Sequence, residues 1–532
     1  MRRYRWRETT VKFILSSLGA AAWLALHAPA AVAQGAPAPQ ASASSATPIA
    51  AMAGQPRDPF FWLGEINKAT LVINSEQGLL DPSIAPRLAA GVAKVIADGN
   101  ASGGKRPASV ITFEPLLIKA AGEDVTLLHA GRSSQDMHAT YRSAILRDKL
   151  LELAEQLHAT SMVLVELAAR HERTIVPNYT NGVAAQPNSY GHYLLGQAAG
   201  LMRDADRIRE TYARVDRSPM GTTVLNGTSW PLDRQRMARY LGFEALVDNA
   251  YDASQISSMD QPVEVASIVT SVALRAGNFV EDLMTQYAQP RPWILLEEGG
   301  GNTYVSSAMP QKRNPGLLND TRSEASTALT LALGPVVQTH NITPGMSDPK
   351  DVKQNSAMVD GGIATLKRWS RVLKALVIRP ERALEELNSD WTASQELADV
   401  LMRKYRLPFR DGHHFASEVV SYAKANDIKP LDFPYAEARR IYAESMKDSK
   451  YGADLPMSEQ EFRSTLDPVA IVDNRATSGG PQPAEMQRML AQARAHLAAQ
   501  DGWIKARRAH IRDALAQLDR DFDAIAAKAP RP

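Results

Sequence analysis

Cysteine is absent from all 532 residues of the chain. Without it the protein can form no disulfide bond, use no thiol nucleophile and build no zinc–thiolate centre. A chain free of thiols suits an oxidising compartment, where a stray thiol would be a liability. Strand-like alternation over several turns is also lacking, and this pattern predicts a mainly α protein.

A strong excess of charge is missing as well. The formal net charge is +2, and residues 1–33 alone hold +4 of it, so the rest of the chain has +2 − 4 = −2. No basic stripe is left outside the N-terminal segment. The sequence therefore predicts no nucleic-acid partner.

Residues 1–33 have the organisation of a secretory signal peptide. A basic stretch precedes an apolar run from Phe13 to about His27, and Ala31-Val32-Ala33 forms a small-residue exit site. The apolar run is short and alanine-rich compared with the ~20 residues of a membrane span. We expect an exported, periplasmic protein with no stable span after cleavage. An uncleaved anchor is the alternative, and the choice between Sec and twin-arginine export stays open.

Long helical patterns follow an Ala/Ser/Pro-rich segment, residues 34–55, that predicts a flexible linker. Apolar residues recur every three or four positions over residues 140–171 and again over residues 264–288. Such stripes predict long amphipathic helices that pack against each other in a bundle.

The C-terminal end carries a seven-residue apolar repeat. Its members are Leu490, Leu497, Ile504, Ile511, Leu518 and Ile525. This heptad-like seam predicts a tail helix that needs a partner surface. That surface is either the chain's own bundle or another subunit.

Three polar clusters, residues 128–136, 177–194 and 297–316, border the helical patterns. All three are rich in amide, hydroxyl and cationic donors. None contains a group of histidines, and the only adjacent carboxylates are Glu297 and Glu298, at the very start of the third cluster. Donors in this pattern indicate a site that binds an anion rather than a metal ion.

The third cluster contains SSAMPQKRNP, residues 306–315, which resembles the signature loop of the fumarase/aspartase superfamily, Gly-Ser-Ser-x-Met-Pro-x-Lys-x-Asn-Pro. The other two clusters match that superfamily's remaining active-site segments in the same order. More narrowly, the chain resembles the argininosuccinate lyase branch. The residues that carry this narrower resemblance are 128–136, 185–187, 191–192, 309–312, 397–399, 408–410 and 479–481.

The resemblance implies a three-domain helical fold with a long central bundle. We place an N-terminal domain at residues 56–128, the bundle with its active-site segments at 129–386, and a C-terminal domain with the tail helix at 387–532. It also implies a homotetramer in which three subunits contribute one segment each to every active site. The substrate would be a small dicarboxylate or amino acid, and neither a metal nor an organic cofactor would be needed.

The resemblance also assigns roles to side chains. Ser306 would remove a proton, and Lys312 would stabilise the developing negative charge. Because Asn181 stands where the family has a histidine, three alternatives stay open for the acid: Thr180 protonates the leaving amine, directly or through water, or the leaving group needs little help, or the reaction has been lost. A serine base needs shielding from water, which a loop hinged at Gly299-Gly300-Gly301 would supply. The expected substrate-binding residues are Arg132, Ser133, Gln135, Asn181, Gln186, Asn314, Ser307 and Met309.

Three positions depart from the family pattern. Val305 replaces a glycine, Gln135 replaces an asparagine, and Asn181 replaces a histidine that has been considered part of the acid system. Two interpretations follow. The first is a lyase that releases fumarate and an amine or guanidine from an N-substituted aspartate. The second is a catalytically inactive family member that acts as a periplasmic binding or structural protein.

Overall fold

The fold is that of a computed structural model, which describes residues 55–529. The predicted signal peptide, and all of the predicted linker except its last residue, lie outside the described residues. The prediction of a mainly α protein is confirmed. The helices are α1 Pro59–Glu76, α2 Ala85–Asn100, α3 Val110–Ala121, α4 Ser134–Arg170, α5 Tyr190–Val215, α6 Arg234–Tyr240, α7 Ser257–Tyr287, α8 Gly316–Thr339, α9 Val352–Lys374, α10 Pro380–Ser389, α11 Ser394–Tyr405, α12 Phe409–Ala425, α13 Tyr435–Ser445, α14 Glu459–Leu466, α15 Pro468–Asp473 and α16 Pro483–Ala526.

A bundle of five long helices forms the centre of the molecule. Helix α4 packs against α5 and α9, α8 packs between α7 and α9, and α7 also contacts α5. The apolar stripe predicted from the sequence of α7 is buried, including Val265, Val269, Val272 and Ala276. Burial of these stripes against one another stabilises the bundle, because each removes apolar surface from water.

The tail helix α16 docks on its own chain. Its seam residues from Leu490 to Leu518 are buried, and the helix packs against α1, α2, α4 and α5. The amino group of Lys68, on α1, donates to Glu65 and to Asp519 of the tail at 2.8 Å each. The apolar repeat of the tail helix is therefore covered by the chain's own bundle, which was one of the two alternatives predicted from the sequence.

A second, smaller apolar core lies in residues 391–466. Phe415, Phe433, Tyr442 and Phe462 are buried together in it, apart from the main core. The tail helix contributes to the main core instead. The predicted bounds of the three domains stay predictions.

The strands are short pairs: β1 Ile175–Thr180 with β2 Val183–Ser189, β3 Arg217–Ser218 with β4 Ala245–Leu246, β5 Ile294–Leu296 with β8 Leu376–Ile378, and β6 Tyr304–Val305 with β7 Arg313–Asn314. Strands β1 and β2 form an antiparallel hairpin that the sequence analysis did not predict. Their side chains alternate poorly in polarity, so periodicity gave no signal. The turn chemistry did, because Asn181 and Gly182 both adopt positive φ, 54° and 75°, as a tight hairpin turn requires.

Residues 252–287 form a stretch long and apolar enough to cross a membrane. Half of its most apolar window is buried inside the protein, against α5, α8 and α9. Buried core helices have the same length and composition as spanning helices, so this stretch is accounted for by the bundle.

Candidate active site

The first segment is rigidly anchored at the start of α4. Ser133 caps the helix, and its own backbone N–H donates to Asp136 Oδ1 at 2.8 Å, which completes a capping box. The other oxygen of Asp136 accepts the backbone N–H groups of Thr222 and Thr223 at 3.0 Å each. Asp136 is fully buried, and burial raises its pKa although these donors oppose the shift. The carboxylate therefore ties two distant loops together.

Arg132 is buried rather than exposed, as an arginine beside a helix cap would ordinarily be. Its guanidinium donates to Thr70 Oγ1 at 3.0 Å and to Asn67 Oδ1 at 2.8 Å, both on α1. Burial lowers the pKa of Arg132 to about 10. Sequence reasoning missed Asn67 and Thr70, since an amide and a hydroxyl on a helix give no motif. Gln135, one turn further, is exposed on α4.

The second segment is the β1–β2 hairpin. Thr180 and Asn181 lie at its exposed tip, and the positive φ of Asn181 is a conformation that asparagine tolerates better than most residues. Gln186, on the returning strand, donates to Gln395 Oε1 at 2.8 Å. The hairpin thus presents a hydroxyl and an amide to solvent at the end of a short, fixed arm.

A cavity of about 280 Å³ lies beside this hairpin. Thr180 and Asn181 line it together with Tyr190, Asp282 and Trp293. The rings of Tyr190 and Trp293 meet edge to face with centroids 5.5 Å apart. Sequence reasoning missed this aromatic wall, because Trp293 is more than a hundred residues from the hairpin.

The third segment is an exposed loop on a glycine hinge. Gly299, Gly300 and Gly301 all have positive φ, 85°, 59° and 76°, a run that residues with a Cβ rarely adopt. The loop then forms the two-residue strands β6 and β7, and the backbone N–H of Ser306 donates to the Lys312 carbonyl at 3.2 Å. The three glycines therefore occupy a backbone conformation that favours glycine, and the expected hinge motion stays a prediction.

The hydroxyl of Ser306 is hydrogen-bonded within this loop in a way that would stabilise its deprotonated form. Its Oγ accepts the backbone N–H groups of Ala308 and Met309 at 3.4 and 3.3 Å. Two converging amides stabilise negative charge on an oxygen. Ser307, Met309 and Lys312 around it are exposed.

Asn314, on β7, donates its side-chain amide to the Tyr304 carbonyl at 3.5 Å. The neighbouring Arg313 pairs with Glu298 at 2.9 Å and donates to the Pro310 carbonyl at 2.7 Å. These contacts hold the two ends of the loop together while its tip stays in solvent. The tip is thus presented as one preformed unit.

One chain does not bring the first two segments together. The first lies at the N-terminal end of α4 and the second directly follows its C-terminal end. Helix α4 has 37 residues, which corresponds to about 55 Å at 1.5 Å per residue. Arg132, Ser133 and Gln135 therefore lie far from Thr180 and Asn181 of the same chain.

No group of three or more histidine, aspartate or glutamate side chains that could hold a metal ion occurs within residues 55–529. The candidate residues are instead hydroxyls, amides and cations. This donor set is suited to carboxylate groups.

Two family models match the chain: a lyase model over residues 92–329 and an argininosuccinate lyase C-terminal model over residues 391–473. Among curated proteins, argininosuccinate lyase of Methanosarcina acetivorans is 29% identical over 86% of this chain and 90% of its own length. That of Geobacillus thermodenitrificans is 28% identical over 73% of this chain and 81% of its own.

Solved structures give the same result. EDDS lyase in complex with formate superposes with a TM-score of 0.79 and 25% identity, over 88% of this chain and 92% of that one. A fumarate lyase from Mesorhizobium sp. BNC1, at 16% identity and a TM-score of 0.60, over 81% of this chain and 95% of that one, shares the fold. In its fold, in the order of the three segments and in the two matched models, the chain is similar to members of the fumarase/aspartase superfamily. Within that superfamily it resembles the argininosuccinate lyases.

Proposed function

We propose that this protein is a carbon–nitrogen lyase that removes an amine or guanidine from an N-substituted aspartate and releases fumarate. The observation that carries the proposal is the Ser306 hydroxyl, which sits on a glycine-hinged loop and receives two backbone N–H groups. The argininosuccinate lyase relatives and the lyase family model agree with this class of reaction. The sequence-based prediction of a fumarate-forming lyase is thus confirmed.

The reaction begins with removal of a proton from the substrate carbon next to a carboxylate. Ser306, as its alkoxide, takes this proton, and the N–H groups of Ala308 and Met309 stabilise the alkoxide beforehand. The carbanion's charge spreads onto the adjacent carboxylate, where Lys312 and Asn314 provide a cation and an amide donor. The electron pair then forms the double bond of fumarate while the carbon–nitrogen bond breaks.

The departing nitrogen takes up a proton. Asn181 cannot supply one at neutral pH, whereas the hydroxyl of the adjacent Thr180 can pass one on directly or through water. Thr180 also lines the cavity of about 280 Å³ beside the hairpin. This position suits a group that faces the leaving amine.

The departures from the family pattern are compatible with activity. Asn181 has a positive φ at a tight turn, which explains an asparagine there. Val305 lies in β6, paired with Arg313, and a β-branched residue fits a strand. The alternative of a catalytically inactive binding or structural protein finds no support in the comparisons, whose named relatives are lyases.

The active site would be composed of segments from different copies in a homotetramer. The length of α4 separates the first two segments of one chain, so only another copy can bring them together. Helix α8 offers a surface for this contact, because Leu333, Val336 and Val337 are spaced on one face and are 61%, 47% and 69% exposed. Exposed apolar strips of this kind mark interaction surfaces. Light scattering after size exclusion would give four times the mass of one chain.

Argininosuccinate is the default substrate from the resemblance. The N-terminal segment instead favours export to the periplasm, where scavenging of a succinylated amine or an aminopolycarboxylate is more natural than arginine biosynthesis. The likeness to EDDS lyase is in keeping with such a substrate. Cell fractionation of the tagged protein, with cleavage mapped near Gln34, would test the location.

The test of the function is fumarate release, followed by ultraviolet absorbance. Argininosuccinate, aspartate, malate and several N-substituted aspartates form the substrate panel, and Ser306→Ala is the control variant. We expect serine-dependent fumarate from one class of N-substituted aspartate. A folded tetramer that is silent on the whole panel would contradict the proposal.

A further inference from the structure

The chain contains two Asn-Gly pairs, Asn181-Gly182 and Asn226-Gly227. An asparagine before a glycine readily loses its side-chain amide, because glycine has no side chain to keep its backbone nitrogen away from the asparagine. Both asparagines are exposed. A Cβ placed on either glycine would have no neighbouring atom within 4 Å. Neither exposure nor crowding therefore distinguishes the two pairs.

The backbone nitrogens of the two glycines differ in their hydrogen bonds. The N–H of Gly227 donates to the Thr222 carbonyl at 2.8 Å. The N–H of Gly182, in the two-residue turn between β1 and β2, donates to no backbone carbonyl of residues 55–529. A nitrogen bound to a carbonyl keeps its proton and its position. The nitrogen of Gly182 is therefore the one that is free to react.

The tip of the hairpin can also rearrange at little cost. The register of β1 and β2 shifts between Asn178 and Tyr179, so only two residue pairs hold the turn beyond this irregularity. Short ends of this kind open locally at low free energy. Water reaches the turn as well, because Asn181 is exposed and lines the cavity of about 280 Å³.

From these differences we infer that Asn181 is a site of spontaneous deamidation, and that this modification lowers the lyase activity of the ageing protein. The Gly182 nitrogen bonds to the side-chain carbonyl carbon of Asn181. The bond from that carbon to the amide nitrogen breaks, and ammonia leaves with the proton of the Gly182 N–H. Water then opens the succinimide ring at either of its carbonyls, which yields aspartate or isoaspartate.

The effect on activity rests on the proposed function. Either product places a carboxylate next to Thr180, in a site proposed to accept an anionic dicarboxylate, and like charges repel. Isoaspartate also adds one methylene group to the main chain of the turn. The pairing of Thr180 with Val183 requires a turn of fixed length, so we expect the Thr180 hydroxyl to be displaced.

The first experiment measures the modification without catalysis. The purified protein is kept at neutral pH for several weeks, and its peptides are mapped by mass spectrometry at intervals. Asn181 should be converted about five- to tenfold faster than Asn226, which is the factor expected from one protecting hydrogen bond. Equal rates, faster conversion of Asn226, or no conversion of Asn181 would overturn the site.

The second experiment connects the modification with activity. Wild type, Asn181→Gln and Asn226→Gln are aged together, and fumarate release is expressed relative to each protein's own starting value. Wild type and Asn226→Gln should lose activity in proportion to the converted fraction of Asn181. Asn181→Gln should lose less, because glutamine would have to close a larger ring.

A third readout needs no variant at position 181. Ion exchange separates the aged Asn226→Gln protein by its additional negative charge, and the more negative fraction should release fumarate more slowly than the unmodified fraction. Equal activity of the two fractions would overturn the effect on activity.

Failure of this inference is distinguishable from failure of the proposed function. Conversion of Asn181 in a protein that releases no fumarate from any substrate would refute the proposed function and support the modification site. Fumarate release without conversion of Asn181 would do the reverse.

Discussion

The first and third segments of the site differ in how they are held: the first is buried and hydrogen-bonded to the interior, and the third is an exposed loop. In the first, the Asp136 carboxylate accepts three backbone N–H groups and Arg132 is held by two side chains of α1, all in the interior. In the third, Ser306 and Lys312 lie on a loop that rests on three consecutive glycines and contacts mainly itself.

This difference suggests a division of roles, in which the first segment positions the substrate and the third carries out the proton transfer. A buried segment, anchored by hydrogen bonds of Asp136 and Arg132, holds its side chains in place at little conformational cost when substrate binds. A hinged loop can close over the substrate and exclude water, which a serine base requires. Substitutions in the first segment should therefore reduce stability, and substitutions in the third should reduce activity.

The largest expected effect is on catalysis. Ser306→Ala should lower kcat by about 10³-fold or more, because it removes the hydroxyl that we propose takes the proton. Its melting temperature should stay within about 1 °C of wild type, since Ser306 Oγ bonds only to its own loop. Ser307→Ala, at an exposed neighbour, is the matched control and should retain more activity. Equal losses in both variants would mean that the loop, rather than the Ser306 hydroxyl, had been disturbed.

The opposite behaviour is expected of Asp136→Asn. The new amide nitrogen would face backbone N–H groups that now donate to a carboxylate, so the free energy of unfolding should fall by about 2–4 kcal/mol. Urea denaturation measures this loss, and Asp98→Asn, at an exposed position, should change stability by less than about 0.5 kcal/mol. A stable Asp136→Asn protein would refute the view of the first segment as an anchor.

The hinge should show a smaller, mixed effect. Gly299→Ala places a Cβ at a φ of 85° with no neighbouring atom within 4 Å. The substitution therefore introduces backbone strain of about 1 kcal/mol but no steric clash. We expect kcat to fall several-fold because loop closure is biased. Gly277→Ala, in α7 with similar free space, should instead stabilise slightly. Unaltered kcat in Gly299→Ala would show that the hinge does not move in the cycle.

The smallest effect concerns pH. His138 Nε2 accepts the backbone N–H of Val110 at 3.2 Å, and burial, with Arg142 nearby, lowers the pKa of His138 to about 4. The unfolded chain therefore binds the proton first, and stability is lost as pH falls from about 6.5 toward 4. His138→Gln should flatten the melting temperature over that window. Equal slopes for both proteins would contradict the assignment.

Sequence alone gave the long helices and the order of the segments, because both are local patterns. The apolar stripes of α4 and α7 follow the helical period, and the residues from Ser306 to Pro315 form one contiguous motif. The β1–β2 hairpin was missed, although its Asn181-Gly182 turn was visible, because its strands carry no clear alternation.

Contacts that join distant residues could not be read from the sequence. Arg132 is hydrogen-bonded to Asn67 and Thr70, more than sixty positions away, and Arg142 and Lys350, about two hundred positions apart, line the same cavity. In neither case does the separation of the residues along the chain follow a motif that would predict their proximity in the fold. For the same reason, the heptad repeat of the tail helix was compatible with two partner surfaces, because a repeat does not identify the surface that packs against it.

The central claim, an active lyase whose sites are built from several copies, is tested most directly by mixing two inactive variants. Ser306→Ala and Thr180→Val are each purified as folded oligomers, dissociated, combined and reassembled, and fumarate release is measured. The account predicts that activity returns in the mixture, because some sites receive an intact Ser306 from one copy and an intact Thr180 from another. A mixture that stays as inactive as its parents, with confirmed subunit exchange and an active wild-type control, would contradict it.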